Sequence, residues 1–345
     1  MAKDGERLAR SVTGIDVAKA AGVSQSVVSL VFSGKAGTRV SAKTERRVRE
    51  AARKLDYAPN VTASVLKTGK VSTLALAVPV ITQPFFSAVL QAAEVRARAL
   101  GYTMTLLSSL DQGKWSQRLI DSLRGNQFAG AIVYGPSDED TTLLKAADVN
   151  VVACELNNTE LPTIDLDLAP GMRQAAEHLL EAGHRRIGYL GTENPHITYR
   201  IRREAFFAAF EEGGGVIAAV ETSPAAEFEP AVAAAAALIH GAGDITAIMC
   251  DDDLLAPAVI RAAHAVGLST PGDISVVGVG DLEISRMLTP PLTTVALSSN
   301  ALGTYAVDEL VHVINGEVAT RRILPTHLVI RETVTSPATR PTPSA

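Results

Sequence analysis

The chain has 345 residues, too many for one ordinary small domain and enough for two or three. It is 47% hydrophobic and 20% charged, with mean hydropathy +0.17, which excludes disorder, collagen and coiled coil as the main state. Two cysteines, Cys154 and Cys250, exclude a disulfide framework and a cysteine-rich zinc site. The opening residues MAKDGERLAR are polar and charged, so no signal peptide is expected. The longest wholly apolar run, 231–239, is far short of the roughly 20 residues a membrane span needs. A cytoplasmic protein with no membrane partner is expected.

The formal net charge of −5 hides an asymmetry. Residues 1–70 hold 14 Lys/Arg and 6 Asp/Glu, a balance of +8, and the rest hold 18 and 31, a balance of −13. A basic head on an acidic body points to a polyanionic partner for the head. The alternative is a solvated basic surface with no partner.

The head carries helical punctuation. Thr13-Gly14-Ile15-Asp16 fits a capping box, and the helix it opens places Val17, Ala18 and Ala21 inward before Gly22 stops it. Ser24 caps a second helix, 25–32, with Val27, Val28, Val31 and Phe32 on one side and Gln25, Ser26, Ser29, Leu30 and Ser33 on the other. Two short helices joined by a glycine-containing turn make a helix-turn-helix. Ser41 caps a third helix, striped with Val48, Ala51, Ala52 and Leu55 and backed by Arg46, Arg47, Arg49, Arg53 and Lys54. A small polar face on the second helix suits base edges in the major groove. A three-helix bundle that binds protein is the competing reading.

From residue 71 on, strands alternate with helices. Strands are expected at 73–80, 103–108, 129–134, 151–154, 186–190, 247–251 and 274–279. Such alternation implies parallel sheets covered on both faces.

These runs resemble the LacI/GalR family of bacterial transcription regulators. The match is carried by Asp16-Val17-Ala18-Lys19-Ala20-Ala21-Gly22-Val23-Ser24 and Val40-Ser41-Ala42-Lys43-Thr44, then by Arg47-Val48, Ala51, Leu55, Tyr57, Pro59 and Asn60. It continues through Pro84-Phe85-Phe86, Gly101-Tyr102, His178-Leu179, the run 183–188, the run 290–295 and Arg331-Glu332-Thr333. The resemblance covers 12–335. It implies an α/β architecture: a helix-turn-helix DNA-binding domain over 1–60, a hinge helix over 61–70, and an effector-binding and dimerisation body over 71–345. The body would be two-lobed and periplasmic-binding-protein-like. Lobe 1 spans about 71–166 plus 298–325, lobe 2 about 167–297 plus 326–336, and 337–345 form a flexible tail.

The resemblance further implies a repressor that binds a palindromic operator in double-stranded DNA as a homodimer. Base contacts would come from Gln25, Ser26, Ser29 and Leu30, and phosphate contacts from Thr13, Ser24, Ser33 and Tyr57. Asn60 opens the hinge, Ala63 lies in it, and Leu66 takes the position of an intercalating leucine that bends the duplex at a base step. Leu30 stands where many members carry a basic or polar base-reader, and suits a thymine methyl instead. For the effector, a sugar, nucleobase or other metabolite, the implied contacts are Phe85, Phe86, Arg202, Asp252, Asp253, Gly280 and Asp281, with Asp167 at the lobe boundary. An acid usual after the first strand is replaced by Val80, and an aspartate by Gly280. This loss of acids ranks an anionic or carbonyl-rich ligand above a neutral sugar.

No G-x-S-x-G elbow, Walker loop or H-E-x-x-H motif occurs, so neither an enzyme, a metal site nor a cofactor is expected. The rival readings are a solute-binding module and an architectural DNA-binding protein without effector response.

Overall fold

The computed structural model describes residues 12–32, 40–57, 71–109, 114–156, 160–194, 196–224, 227–242 and 244–337. The expected hinge segment, Ser33, Asn60, Ala63, Leu66 and the expected tail beyond Pro337 lie outside them. The chain divides into two compact units, Met1–Val71 and Ser72–Ala345.

The first unit is a three-helix head. Helix α1 (Gly14–Ala21) begins with the expected capping box: the Thr13 amide donates to Asp16 Oδ2 at 2.9 Å, and the Asp16 amide to Thr13 Oγ1. It ends at Gly22 with φ +61°, a left-handed cap that L side chains rarely adopt. Helix α2 (Gln25–Phe32) follows at 106° to α1, within the range of a helix-turn-helix. In α3 (Ala42–Lys54) the Ser41 side chain accepts from the Thr44 amide at 3.2 Å. Val17, Val28, Val31 and Val48 are 0–2% exposed and form the centre of the head's own core. Phe32 meets Tyr57 edge-on at 5.7 Å.

The second unit holds two six-stranded sheets. In chain order its elements are β1 (Thr73–Val78), α4 (Pro84–Ala99), β2 (Thr103–Ser108), α5 (Trp115–Arg124), β3 (Gly130–Tyr134), α6 (Asp138–Ala147), β4 (Val151–Cys154) and β5 (Thr163–Asp167). Then come α7 (Leu168–Glu181), β6 (Arg186–Thr192), α8 (Ile197–Glu212), β7 (Val216–Ser223), α9 (Phe228–Gly241), β8 (Ala247–Cys250), α10 (Ala256–Ala265) and β9 (Ser275–Gly280). The last are α11 (Glu283–Met287), β10 (Thr293–Ala296), α12 (Ser299–Ile314), β11 (Arg322–Pro325) and β12 (His327–Val329). Lobe 1 orders its strands β11-β5-β4-β3-β1-β2, and lobe 2 β12-β10-β9-β8-β6-β7. Every pairing is parallel except β10 with β12. The central strands are buried on both faces, so they read as continuous apolar runs such as Leu74-Ala75-Leu76-Ala77-Val78.

The chain crosses between lobes three times: at Asp167–Leu168, between β10 and α12, and between β11 and β12. Thr326, in the third crossing and 2% exposed, donates its hydroxyl to the Asp167 carbonyl at 2.7 Å and accepts from the Gly171 amide at 3.2 Å. Ser298 donates to the Pro325 carbonyl at 3.0 Å. The crossings are thereby tied to one another. Helix α12 packs on α4 in lobe 1, although some 200 residues separate them in sequence. Among the described residues no single helix is long and apolar enough to cross a membrane.

Candidate DNA-reading face and interlobe site

On α2 the sequence puts Val28 and Val31 inward, and this fixes what faces out. Gln25, Ser26 and Ser29 are exposed, Leu30 is half-buried, and Ser24 is exposed at the start of the helix. Ser24 and Ser26 share a 2.7 Å hydrogen bond between their hydroxyls. The basic side chains of α3, Arg46, Arg47, Arg49, Arg53 and Lys54, are all exposed. Arg49 pairs with Glu45 at 2.8 Å, a surface contact worth little. Thr13 spends its hydroxyl on Asp16 at 2.7 Å, and the Tyr57 ring leans on Phe32.

The second cluster lies at the carboxyl ends of strands, where open α/β sheets place ligands. From lobe 1 come Phe85 and Phe86 at the start of α4, Tyr134 at the end of β3 and Glu155 just after β4. From lobe 2 come His196, Thr198, Tyr199 and Arg202 around the start of α8, and Asp251 and Asp252 after β8. Phe86 meets Tyr134 edge-on at 4.6 Å, and Tyr134 stacks on His196 across the lobes at 6.1 Å. The Tyr134 hydroxyl donates to Glu155 Oε2 at 2.5 Å. Gln83 Nε2, from lobe 1, donates to Asp252 Oδ2 of lobe 2 at 3.0 Å.

Arg202 is 4% exposed; its Nη1 donates to the Asp251 carbonyl at 3.2 Å, and its guanidinium lies 4.7 Å from the Tyr199 ring centre. Burial opposes its charge, but Tyr199, Glu155, Tyr134 and Asp252 outweigh that and raise its pKa. Burial pushes the Glu155 carboxyl up, with Arg202 the largest opposing influence. The Thr198 side chain also favours the charged form of Glu155, and Arg202 Nε is buried with no hydrogen-bond partner among the described residues.

The structure brings Phe85, Phe86, Arg202 and Asp252 together, and separates them from the other expected effector contacts. Asp253 is fully buried inside lobe 2, accepting from the Leu282 amide at 2.8 Å and from the hydroxyls of Ser285 and Thr294. Both its oxygens are thus committed to the fold. Asp281 pairs with Arg331 and Arg286. Gly280 has φ +140°, and a Cβ there would sit 3.0 Å from Leu282, so the backbone itself calls for glycine. Asp167 is exposed and makes no side-chain cap to α7. Sequence reasoning missed Glu155, Tyr134 and His196. Their position at or just past the ends of buried strands was the available signal. No group of three or more His, Cys, Asp or Glu among the described residues could hold a metal ion.

Two family models match the chain: bacterial regulatory proteins of the lacI family over residues 15–60, and a periplasmic binding protein-like domain over residues 176–334. The HTH-type transcriptional repressor PurR of Pasteurella multocida is 30% identical over 344 residues, covering 93% of this chain and 98% of its own. The chain belongs to the lacI family of bacterial regulatory proteins. The HTH-type transcriptional regulator MalR of Streptomyces coelicolor is 31% identical, covering 95% of this chain and 98% of its own. Among solved structures, the Lac repressor dimer bound to operator and the anti-inducer ONPF matches with TM-score 0.79 at 27% identity, over 94% of this chain and 100% of that one. The transcriptional regulator CelR–cellobiose complex matches with TM-score 0.69 at 28% identity, over 93% and 99%.

In this lacI-family protein the buried acids tie stability to pH in an uncommon sense. Burial raises the Asp251 carboxyl to about 7, against the Thr192 amide and Arg202 that favour its charge. Its unfolded value is about 4. The folded pKa lies above the unfolded one, so the folded chain takes up a proton between them. The penalty on folding is full above about pH 7 and fades as pH falls toward about 4. His178, His184 and His196, lowered by burial, act in the opposite sense, so the wild type is best compared with Asp251→Asn. The variant should be more stable at about pH 8, by on the order of 2–4 kcal/mol, and the gap should close by about pH 4–5. Urea midpoints across that range check it. A pH-independent gap would mean that Asp251 is ionised throughout.

Proposed function

We propose that the chain is a transcriptional repressor of the bacterial cytoplasm that binds a palindromic operator as a homodimer and responds to a small molecule held between the lobes. The observation that carries the reading is the α2 face: Gln25, Ser26 and Ser29 stand exposed, on a head whose α3 arginines are exposed too and whose charge balance is +8. Exposed short polar side chains suit base edges, and the flanking cations suit phosphates. Ser24, Thr13 and Tyr57 take phosphate contacts with Ser33, and Asn60, Ala63 and Leu66 enter the minor groove. Leu30, half-buried at the edge of the face, meets a thymine methyl. Two heads joined through the body match two half-sites, and this favours dimeric binding. The relatives called repressors and the Lac repressor dimer bound to operator support the same reading.

Selection of duplexes from random DNA by the full chain tests it, with a palindromic consensus as the expected result. Leu66→Ala should then weaken binding to the selected operator by about 1–3 kcal/mol, on the scale of an unstacking wedge. Binding to random DNA should hardly change, because Leu66 neutralises no phosphate. Equal losses on both DNAs would remove Leu66 from the interface, and recovery of no consensus would overturn the regulatory reading.

A further inference from the structure

The reading of Thr13 and Tyr57 as phosphate contacts is the one on which this inference rests; the glycine beside both is the new element. Gly14 opens α1 and keeps a right-handed helical backbone, so its own conformation does not call for glycine. Glycine at a helical position costs chain entropy that alanine would not. The reason lies across the head. A Cβ at Gly14 would stand 3.2 Å from Tyr57 Oη, tighter than nearly all real contacts, and 3.8 Å from Cζ, an ordinary contact. The bare backbone of α1 is the seat of the Tyr57 hydroxyl.

Tyr57 has little freedom to give way. The chain leaves α3 through Leu55 and turns at Asp56, whose φ of +50° is left-handed. The Asp56 amide then donates to the Arg53 carbonyl at 3.2 Å, and the Tyr57 amide to the Ala52 carbonyl at 2.9 Å, the paired bonds of a Schellman cap. These bonds fix the Tyr57 backbone on α3, and the edge contact with Phe32 holds its ring against α2. With its hydroxyl on α1, one side chain ties the three helices of the head together. A side chain at position 14 would press on the end of Tyr57 that carries the hydrogen-bonding group. Thr13 donates its own hydroxyl proton to Asp16, so the side-chain proton beside it that can meet a phosphate is that of Tyr57.

We infer that Gly14 is a positioning residue for DNA binding. Its missing side chain lets the Tyr57 hydroxyl rest on the first turn of α1, and from there the hydroxyl donates to a phosphate oxygen. Gly14 has no side chain to read a base, so it sets the strength of binding and not the sequence preferred.

Gly14→Ala, Tyr57→Phe and the double variant, each in the full chain, are compared on the operator selected from random DNA. Tyr57→Phe should weaken binding by about tenfold or more, the scale of a hydrogen bond to a charged group. Gly14→Ala should weaken it by at least about threefold, part of the same loss, while melting no lower than the wild type. Both should select the wild-type consensus and keep the wild-type slope of affinity against salt, because neither removes a cation. Made in Tyr57→Phe, the Gly14→Ala change should cost less than about twofold, since the added carbon then meets only the ring, at an ordinary distance. Gly14→Ala that binds like the wild type overturns the inference. So does an equal loss with and without the Tyr57 hydroxyl, which would trace the effect to α1 itself. A changed consensus would place position 14 among the base readers and overturn it too. If Tyr57→Phe alone binds like the wild type, the phosphate reading of Tyr57 falls and takes this inference with it, while the selected operator keeps the regulatory reading in place.

Discussion

A chain beginning at Ser72 is expected to lose operator binding entirely and to melt within a few degrees of the full protein. The division at Val71/Ser72 separates a head with its own buried core, built on Val17, Val28, Val31 and Val48, from a body whose two sheets close without it. The charge goes with the head: the rest of the chain has a balance of −13 and repels a duplex. Specific binding exceeds non-specific binding by about 10³–10⁷-fold in proteins of this kind, and the body alone should show neither. Gel shift on the selected operator and calorimetric melting measure the two halves of the expectation. Retained operator binding would place the DNA contacts in the body.

The second large effect is expected at Asp253, deep in lobe 2. Its carboxylate joins the turn after β8 to three separate places: the Leu282 amide, Ser285 on α11 and Thr294 on β10. Asp253→Ala leaves three donors buried with no acceptor, each costing about 1–3 kcal/mol, although the two hydroxyls can turn to other partners. A loss of about 3–5 kcal/mol is expected, a large share of the usual 5–15 kcal/mol of a folded domain. Asp253→Asn keeps the shape and one oxygen, and should lose less. Burial also holds the Asp253 carboxyl up at about 6, so the asparagine variant should do relatively better above that pH than below it. Denaturant midpoints at two pH values read both effects. A loss under about 1 kcal/mol for the alanine variant would mean that the three donors find other partners.

Local chemistry made the head legible. Thr13 with Asp16, Gly22 and Ser41 are caps whose partners lie within four residues, so the sequence alone specifies them. The central strands were equally plain as apolar runs. The strands at 163–167, 216–223, 293–296, 322–325 and 327–329 were not among those expected, and the reasons differ. β5 carries the buried Asp165, whose carboxylate Arg321, 156 residues away, reaches with two nitrogens. β7, β11 and β12 are edge strands with exposed or half-exposed residues, and lack the apolar run of a central strand. Within the interlobe cluster, Glu155 looks like a turn residue after β4 until Tyr134 and Arg202 are seen beside it. Asp252 and Asp253 are neighbours that sequence reasoning treated alike. Folding sends one to Gln83 across the lobes and the other into the interior of lobe 2.

The three interlobe crossings also constrain how the protein can be synthesised. β5 waits for β11, and β10 waits for β12, so neither sheet can be completed until the final strands have emerged from the ribosome. Helix α12, which covers α4, also appears late. Until then both nascent lobes present an open sheet edge, and lobe 1 an uncovered apolar helix face. Unpaired edges and uncovered faces of this kind recruit other chains. A premature stop anywhere before about residue 322 should therefore yield a product with both lobes unfinished, not one sound lobe and one broken one, and chaperones or proteases would be its expected fate.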